Sequence, residues 1–296
     1  MRLLLLLLLS IGTASAQERF VAFTMDDLPF VGTDDSALTH TKKILSHFSA
    51  FKVPAVGFVN DQFIANRKES GTLILEEWIK HKQELGNHTY SHPSFTKSTL
   101  AEYVKDVKKG NEYSNALQRK STGKSMRYFR HPYLHTGDDS TKKRGLDKTL
   151  KELKLQAVPV TMDGSDWYFN HAAMKSEPEL AKRIGQAYVE FTLASIEYSE
   201  KLALEVNGSP IKHIFLTHAN SLNAIYLKDI LAALYKKGYT FISVEEAMKD
   251  PVYLRPDTVL APGGFSWLHR WRISAKQKTA LKEPEIPKFV QEAYEK

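Results

Sequence analysis

The 296-residue sequence contains no cysteine. A thiol nucleophile, a Cys-ligated metal and a disulfide framework are therefore excluded. Long apolar runs are also missing beyond the first residues. There, Arg2 is followed by seven consecutive leucines, then Ser10-Ile11-Gly12 and Ala14-Ser15-Ala16. A basic start, a short apolar stretch and an A-x-A site predict a secretory signal over residues 1–16. Its apolar part is too short to cross a bilayer as a mature helix. Export is expected, to the periplasm or the medium, with no transmembrane segment left after cleavage. Because no Cys follows the signal, a lipid anchor is not expected. The formal net charge of +7 carries no nucleic-acid motif. Its lysines fall singly or in pairs, such as Lys42-Lys43, Lys108-Lys109 and Lys236-Lys237. That is the pattern of a solvated face with some attraction for anionic surfaces.

What is present alternates. Short apolar runs lie at Phe20–Thr24, Ala55–Val59, around Leu85, Met126–Phe129, Gln156–Val160, Ile214–Thr217 and Thr240–Val244. Helical patterns separate them, at Ser36–Phe51, Thr72–Lys82, Thr99–Arg119, Lys142–Leu153, Glu179–Val206 and Leu222–Lys237. Thr99 followed by Glu102 has the spacing of a capping box. Such alternation predicts an α/β fold, a parallel sheet with covering helices. About seven strands in that order favour a distorted or incomplete (β/α) barrel. From Asp250 on the pattern weakens. Residues 251–296 are read as an extension packing on the 17–250 domain, with its tryptophans as anchors.

Polar clusters recur where such strands end, the functional rim of parallel α/β folds. Asp26 and Asp27 follow the first strand, and His88-Thr89-Tyr90-Ser91-His92 follows the third. Arg130-His131-Pro132-Tyr133 follows the fourth, Asp163-Gly164-Ser165-Asp166-Trp167 the fifth, and His218 ends Ile214–Thr217. Two imidazoles and one carboxylate leave an open position on a tetrahedral Zn²⁺, the usual arrangement of catalytic zinc. The second of the paired acids is then free to accept a proton. Either Asp163 or Asp166 could partner His218, since spacing alone does not separate them. His40, His47, His81, His171 and His213 read as surface residues, while His131 and His135 flank the Arg130 loop.

Five of these clusters resemble the motifs of the NodB-homology domain of polysaccharide deacetylases, carbohydrate esterase family 4. They are Thr24-Met25-Asp26-Asp27-Leu28, His88-Thr89-Tyr90-Ser91-His92, Arg130-His131-Pro132-Tyr133, Asp163-Gly164-Ser165-Asp166-Trp167 and Leu216-Thr217-His218, in the family's order. The resemblance implies a NodB-type barrel and a divalent metal, typically zinc, on Asp27, His88 and His92. It implies Asp26 as general base, Arg130 as its partner, and His218 as general acid tuned by Asp166. It further implies that Tyr133 offers its backbone N–H to the oxyanion and that Trp167 and Leu216 line the acetyl pocket. The expected activity is hydrolysis of N-acetyl groups on an amino-sugar glycan, chitin-like or peptidoglycan. The alternatives are an O-acetyl esterase on xylan or a related glycan, and a non-catalytic carbohydrate-binding protein. An acetylated glycan is thus the expected partner, and oligomeric state is left open. Two departures stand out. Leu28 replaces the family's usual Gly, so its loop is expected to run differently. Ala219-Asn220 follows His218 in place of the common Asp.

Overall fold

The strand carrying the paired acids lies inside the sheet and pairs with three others. The computed structural model describes residues 18–31, 36–67 and 69–296, so the signal expected over residues 1–16 lies outside the described residues. From β1 (Arg19–Leu28) the chain runs through α1 (Ala37–Ala50), β2 (Ala55–Val59), α2 (Asp61–Arg67) and α3 (Glu69–Lys80). Next come β3 (Glu84–Asn87), α4 (Leu100–Lys109), α5 (Tyr113–Thr122), β4 (Tyr128–Phe129), α6 (Ser140–Glu152) and β5 (Gln156–Ala157). β6 (Met162–Asp163), α7 (Asp166–Met174), the long α8 (Pro178–Asn207), β7 (Lys212–His218) and α9 (Ser221–Lys236) follow. The chain closes with β8 (Tyr239–Phe241), α10 (Val244–Ala247), α11 (Trp267–Ser274) and α12 (Lys288–Glu295).

All strand pairs are parallel, in the order β5-β4-β3-β2-β1-β7-β6, with β8 joined to the start of β1. β5 and β6 end this path without pairing, so the barrel is incomplete, as expected, with its seam between them. Alternation along β1 divides the interior. Val21, Phe23 and Met25 pack under the helices, whereas Ala22 packs with Val56, Phe58, Tyr128, Val158 and Ile214 inside the curled sheet. Thr24 and Asp26 continue that inner row toward the C-terminal rim. Val244 and Ala247 of α10 join the same inner cluster.

Several expected boundaries move. Residues 99–119 form two helices, because Gly110 lies against the loop after β3: a Cβ there would meet the Thr89 carbonyl carbon at 2.3 Å. The expected Thr99 capping box is present on α4. β6 is only two residues long, too short to leave a periodic signal, and α2 was not anticipated. His213, expected at the surface, is buried in β7 beside Thr161. Leu28 likewise turns inward: it is fully buried and occupies the space that a side chain on Gly57 would need. Its replacement of Gly therefore fills the core rather than the rim.

Candidate active site

Adjacent side chains on a regular strand face opposite ways. Asp27 escapes this rule because its backbone is left-handed (φ 64°), at the irregularity between Met25 and Leu28. Asp adopts that conformation more readily than most residues. Both carboxylates thereby face His88: Asp26 Oδ2 is 3.7 Å and Asp27 Oδ1 3.6 Å from its Nε2. Asp27 Oδ1 is also 3.3 Å from His92 Nε2. The ligating atoms of Asp27, His88 and His92 all lie within 4.8 Å of one another. His88 Nδ1 donates to the Arg130 carbonyl at 2.8 Å, which leaves its Nε2 lone pair directed at the carboxylates. Burial holds both imidazoles below their ordinary pKa, so both are neutral. Asp27 Oδ1 is buried without a hydrogen-bond donor. Two neutral imidazoles facing an unsatisfied carboxylate oxygen suit a divalent cation, which would match the unpaired acceptor.

The loop carrying the two histidines is tied down by residues that spacing did not reveal. Asp106 Oδ1 accepts from Tyr90 N and Ser91 N at 2.8 and 2.9 Å, and its Oδ2 from Ser91 Oγ at 2.7 Å. Asn87 Oδ1 accepts from Thr89 N at 2.7 Å. Thr89 and His92 both have positive φ, 69° and 59°, which turns the loop back over the rim. Among these, only Asn87 adjoins a motif; Asp106 looks like an ordinary helix-surface acid.

Across the rim, parallel pairing sets Asp26 level with His218. Asp166 settles the open choice of partner: its Oδ1 accepts from His218 Nδ1 at 2.7 Å. Its Oδ2 accepts from His218 N at 2.7 Å, from Asn220 Nδ2 at 3.0 Å and from Asn223 Nδ2. Asn220 also caps α9, so the residue replacing the family's usual Asp keeps a contact to this pair. Asp163 instead accepts from Ser165 N. Burial opposes a charge on His218, but the Asp166 carboxylate outweighs it and raises the imidazole to about 10. Asp26 is pushed up to about 7 by burial, which Arg130 and His218 only partly offset. A cation on Asp27 would add to that offset.

Arg130 is fully buried but does not hydrogen-bond Asp26. Its Nε stays 4.0 Å from Asp26 Oδ1, while a terminal nitrogen donates to Thr24 Oγ1 at 2.9 Å. The guanidinium lies over the Phe58 ring. Tyr133 (φ 57°) and Leu134 (φ 54°) are both left-handed, and the Tyr133 ring meets His92 edge-on at 4.5 Å. Trp167 is half exposed, whereas Leu216 is buried beside Leu134 and Val160. His135 hydrogen-bonds Ser94, and His131 is buried against Phe129.

The C-terminal segment braces this rim from outside. A Cβ on Gly264 would stand 1.8 Å from the Tyr133 carbonyl oxygen, so only glycine lets the chain pass here. Arg270 is buried; it bonds Thr136 and the Val259 carbonyl and pairs with Asp257 at 2.8 Å. Trp267 N donates to Val160 O at 2.7 Å, beside the seam, and Thr96 Oγ1 donates to Pro262 O at 2.9 Å.

Residues 13–158 match the family model described as Polysaccharide deacetylase. By this match, residues 13–158 belong to the polysaccharide deacetylase family. A peptidoglycan-N-acetylglucosamine deacetylase of Bacillus cereus is 31% identical over 147 residues, 50% of this chain and 46% of that one. A bifunctional xylanase/deacetylase of Pseudobutyrivibrio xylanivorans is 22% identical over 235 residues, 79% of this chain and 31% of that one. The chain thus spans less than half the length of either relative. Its fold is that of the chitin deacetylase of Colletotrichum lindemuthianum, at 21% identity and TM-score 0.55, covering 84% of this chain and 94% of that one.

Proposed function

We propose that this chain is an exported, metal-dependent hydrolase that removes N-acetyl groups from an amino-sugar glycan. The observation that carries the reading is the pairing of a three-ligand cluster, Asp27, His88 and His92, with two proton-handling groups beside it. A divalent ion held there, Zn²⁺ by the donor set, would supply Lewis-acid polarisation of the amide carbonyl and lower the pKa of the attacking water.

The remaining work falls to the chain's own residues. Asp26 accepts the proton of the water that attacks the amide carbon. Arg130 supports the Asp26 charge across 4.0 Å and anchors the strand through Thr24. The Tyr133 peptide, turned by its left-handed backbone, offers its N–H to the oxygen that gains charge. His218 gives its Nε2 proton to the leaving nitrogen as the C–N bond breaks, releasing acetate and a free amine. Asp166 holds His218 through Nδ1, which leaves Nε2 as the end facing substrate. Trp167 supplies a half-exposed aromatic wall, and Leu216 an apolar base behind it. Proton transfer by each of Asp26 and His218 is worth about 10²–10⁴-fold in rate.

Support for export is the leader-like run over residues 1–16; residues 17–250 would then be the catalytic domain and 251–296 its brace. Acetate release from chitin oligomers and peptidoglycan, with and without chelator, tests the whole reading. Metal-dependent release is expected, and its absence from every acetylated glycan would sink the proposal. Asp26→Asn should keep stoichiometric metal and lose turnover. The xylanase-linked relative favours one alternative, an O-acetyl esterase. His218→Ala separates the two, since an amide suffers far more than an ester from loss of the proton donor.

A further inference from the structure

A cavity of about 410 Å³ opens between α8 and the segment 265–284, outside the matched family region. That volume is within the usual range of small-molecule sites. Asp163 and Ser165, which lie just before Asp166 at the β6–α7 connection, are among its lining residues. The cavity therefore adjoins the segment that supplies Asp166 to the proposed reaction centre. Its walls combine the rings of Tyr198 and Phe265 with polar side chains, a mixture suited to the apolar faces and hydroxyl edges of a sugar ring.

One lining residue lacks a match. Arg272 Nε is shut off from solvent and has no hydrogen-bond acceptor. Arg127, Arg130 and Arg270 each face a carboxylate within 4.0 Å, but among the described residues Arg272 has none at that distance. Glu283, which also lines the cavity, is already paired with His269 at 3.2 Å. A buried donor without an acceptor is costly, and a guanidinium binds carboxylates through two parallel N–H bonds. The net charge of +7 favours acidic polymers in the same sense.

We propose that this cavity is a subsite for a carboxylate-bearing sugar lying next to the N-acetylated one, with Arg272 as the partner of its carboxylate. The inference rests on the deacetylase reading and narrows it: the substrate is an acidic glycan, and the C-terminal segment sets that preference.

Two oligosaccharide series of equal length provide the test, N-acetylglucosamine alone and N-acetylglucosamine alternating with glucuronic acid. For the wild-type chain, KM should be about tenfold or more lower on the acidic series, the size of one charge-assisted contact. Arg272→Gln should erase that difference by raising KM on the acidic series, leaving kcat and the neutral series unchanged. Arg272→Lys, which keeps the charge without the fork, should fall between them. Equal KM on both series, unaltered by Arg272→Gln, would overturn the subsite while leaving the deacetylase reading intact. Should neither series be deacetylated, calorimetric binding of the acidic oligosaccharide to wild type and Arg272→Gln decides the subsite by itself. Binding that is lost in the variant supports it; equal or absent binding refutes it. Thermal melts confirm that each variant is folded.

Discussion

Asp106 lies outside the motifs yet ties down the loop of the candidate metal site. Three hydrogen bonds converge on its carboxylate from the turn between His88 and His92. Groups that orient ligands in this way usually contribute about 10–100-fold to metal affinity. Asp106→Ala should therefore weaken zinc binding by that order in a competition titration with a chromophoric chelator, with the fold retained. Unchanged affinity would mean that the left-handed turn at Thr89 holds without help. The same scale explains Asp166. Four N–H donors surround it, two of them from Asn220 and Asn223, so its orientation toward His218 depends on amides that no motif announces. Asn223→Leu should lower kcat while leaving metal content unchanged, as measured by elemental analysis beside steady-state kinetics.

Among elements, the C-terminal segment carries the least obvious duty. The barrel path stops at β5 and β6, and Trp267, Leu268 and Trp271 bury themselves with Val160, Leu216 and Leu134 near that gap. Arg270 ties the same segment to Thr136, beyond the Tyr133 turn. Arg270→Met would leave Asp257 with only Lys143 and take the donor from Thr136 and the buried Val259 carbonyl, a loss of roughly 1–3 kcal/mol. The expected outcome is a lower melting temperature together with a lower kcat, since the Tyr133 peptide loses its support. A melting temperature unaffected by the change would remove the brace from the account.

For the molecule as a whole, two histidines kept neutral by burial contribute to a loss of stability in acid. His131 and His213 are both lowered to about 3, His131 with help from the nearby Arg270 charge. Their folded pKa values lie below the unfolded value near 6.5. The stability they represent is full above pH 6.5 and is lost as pH falls toward 3. Each is a burden of several kcal/mol at the acid end. His213→Gln should accordingly flatten the decline in unfolding free energy between pH 6 and 4, measured by urea titration at each pH. An unchanged slope would show that His213 stays accessible to protons in the folded chain. Chelation should act in the same assay at neutral pH: an ion bound only by the folded state stabilises it by mass action. Removing it should lower the melting temperature, and Asp27→Asn should abolish that chelator effect.

The alternation of strands and helices, the rim position of the catalytic candidates and the meeting of Asp27, His88 and His92 were legible in the sequence, because they depend on local periodicity and on residue types at strand ends. β2 carries a continuous apolar run and was read to both ends, whereas β1 and β7 extend beyond their expected runs on both sides. β6 and the split between α4 and α5 were not legible, since a two-residue strand has no period and Gly110 acts through a contact with Thr89 far along the chain. Tertiary structure alone decided which acid partners His218, that Arg130 holds Thr24 rather than bonding Asp26, and that Leu28 fills the core against Gly57. Each of these turns on where side chains from distant segments meet. Spacing places residues along a strand, whereas burial and hydrogen-bond partners are set only when the sheet curls and the C-terminal segment packs beside its seam.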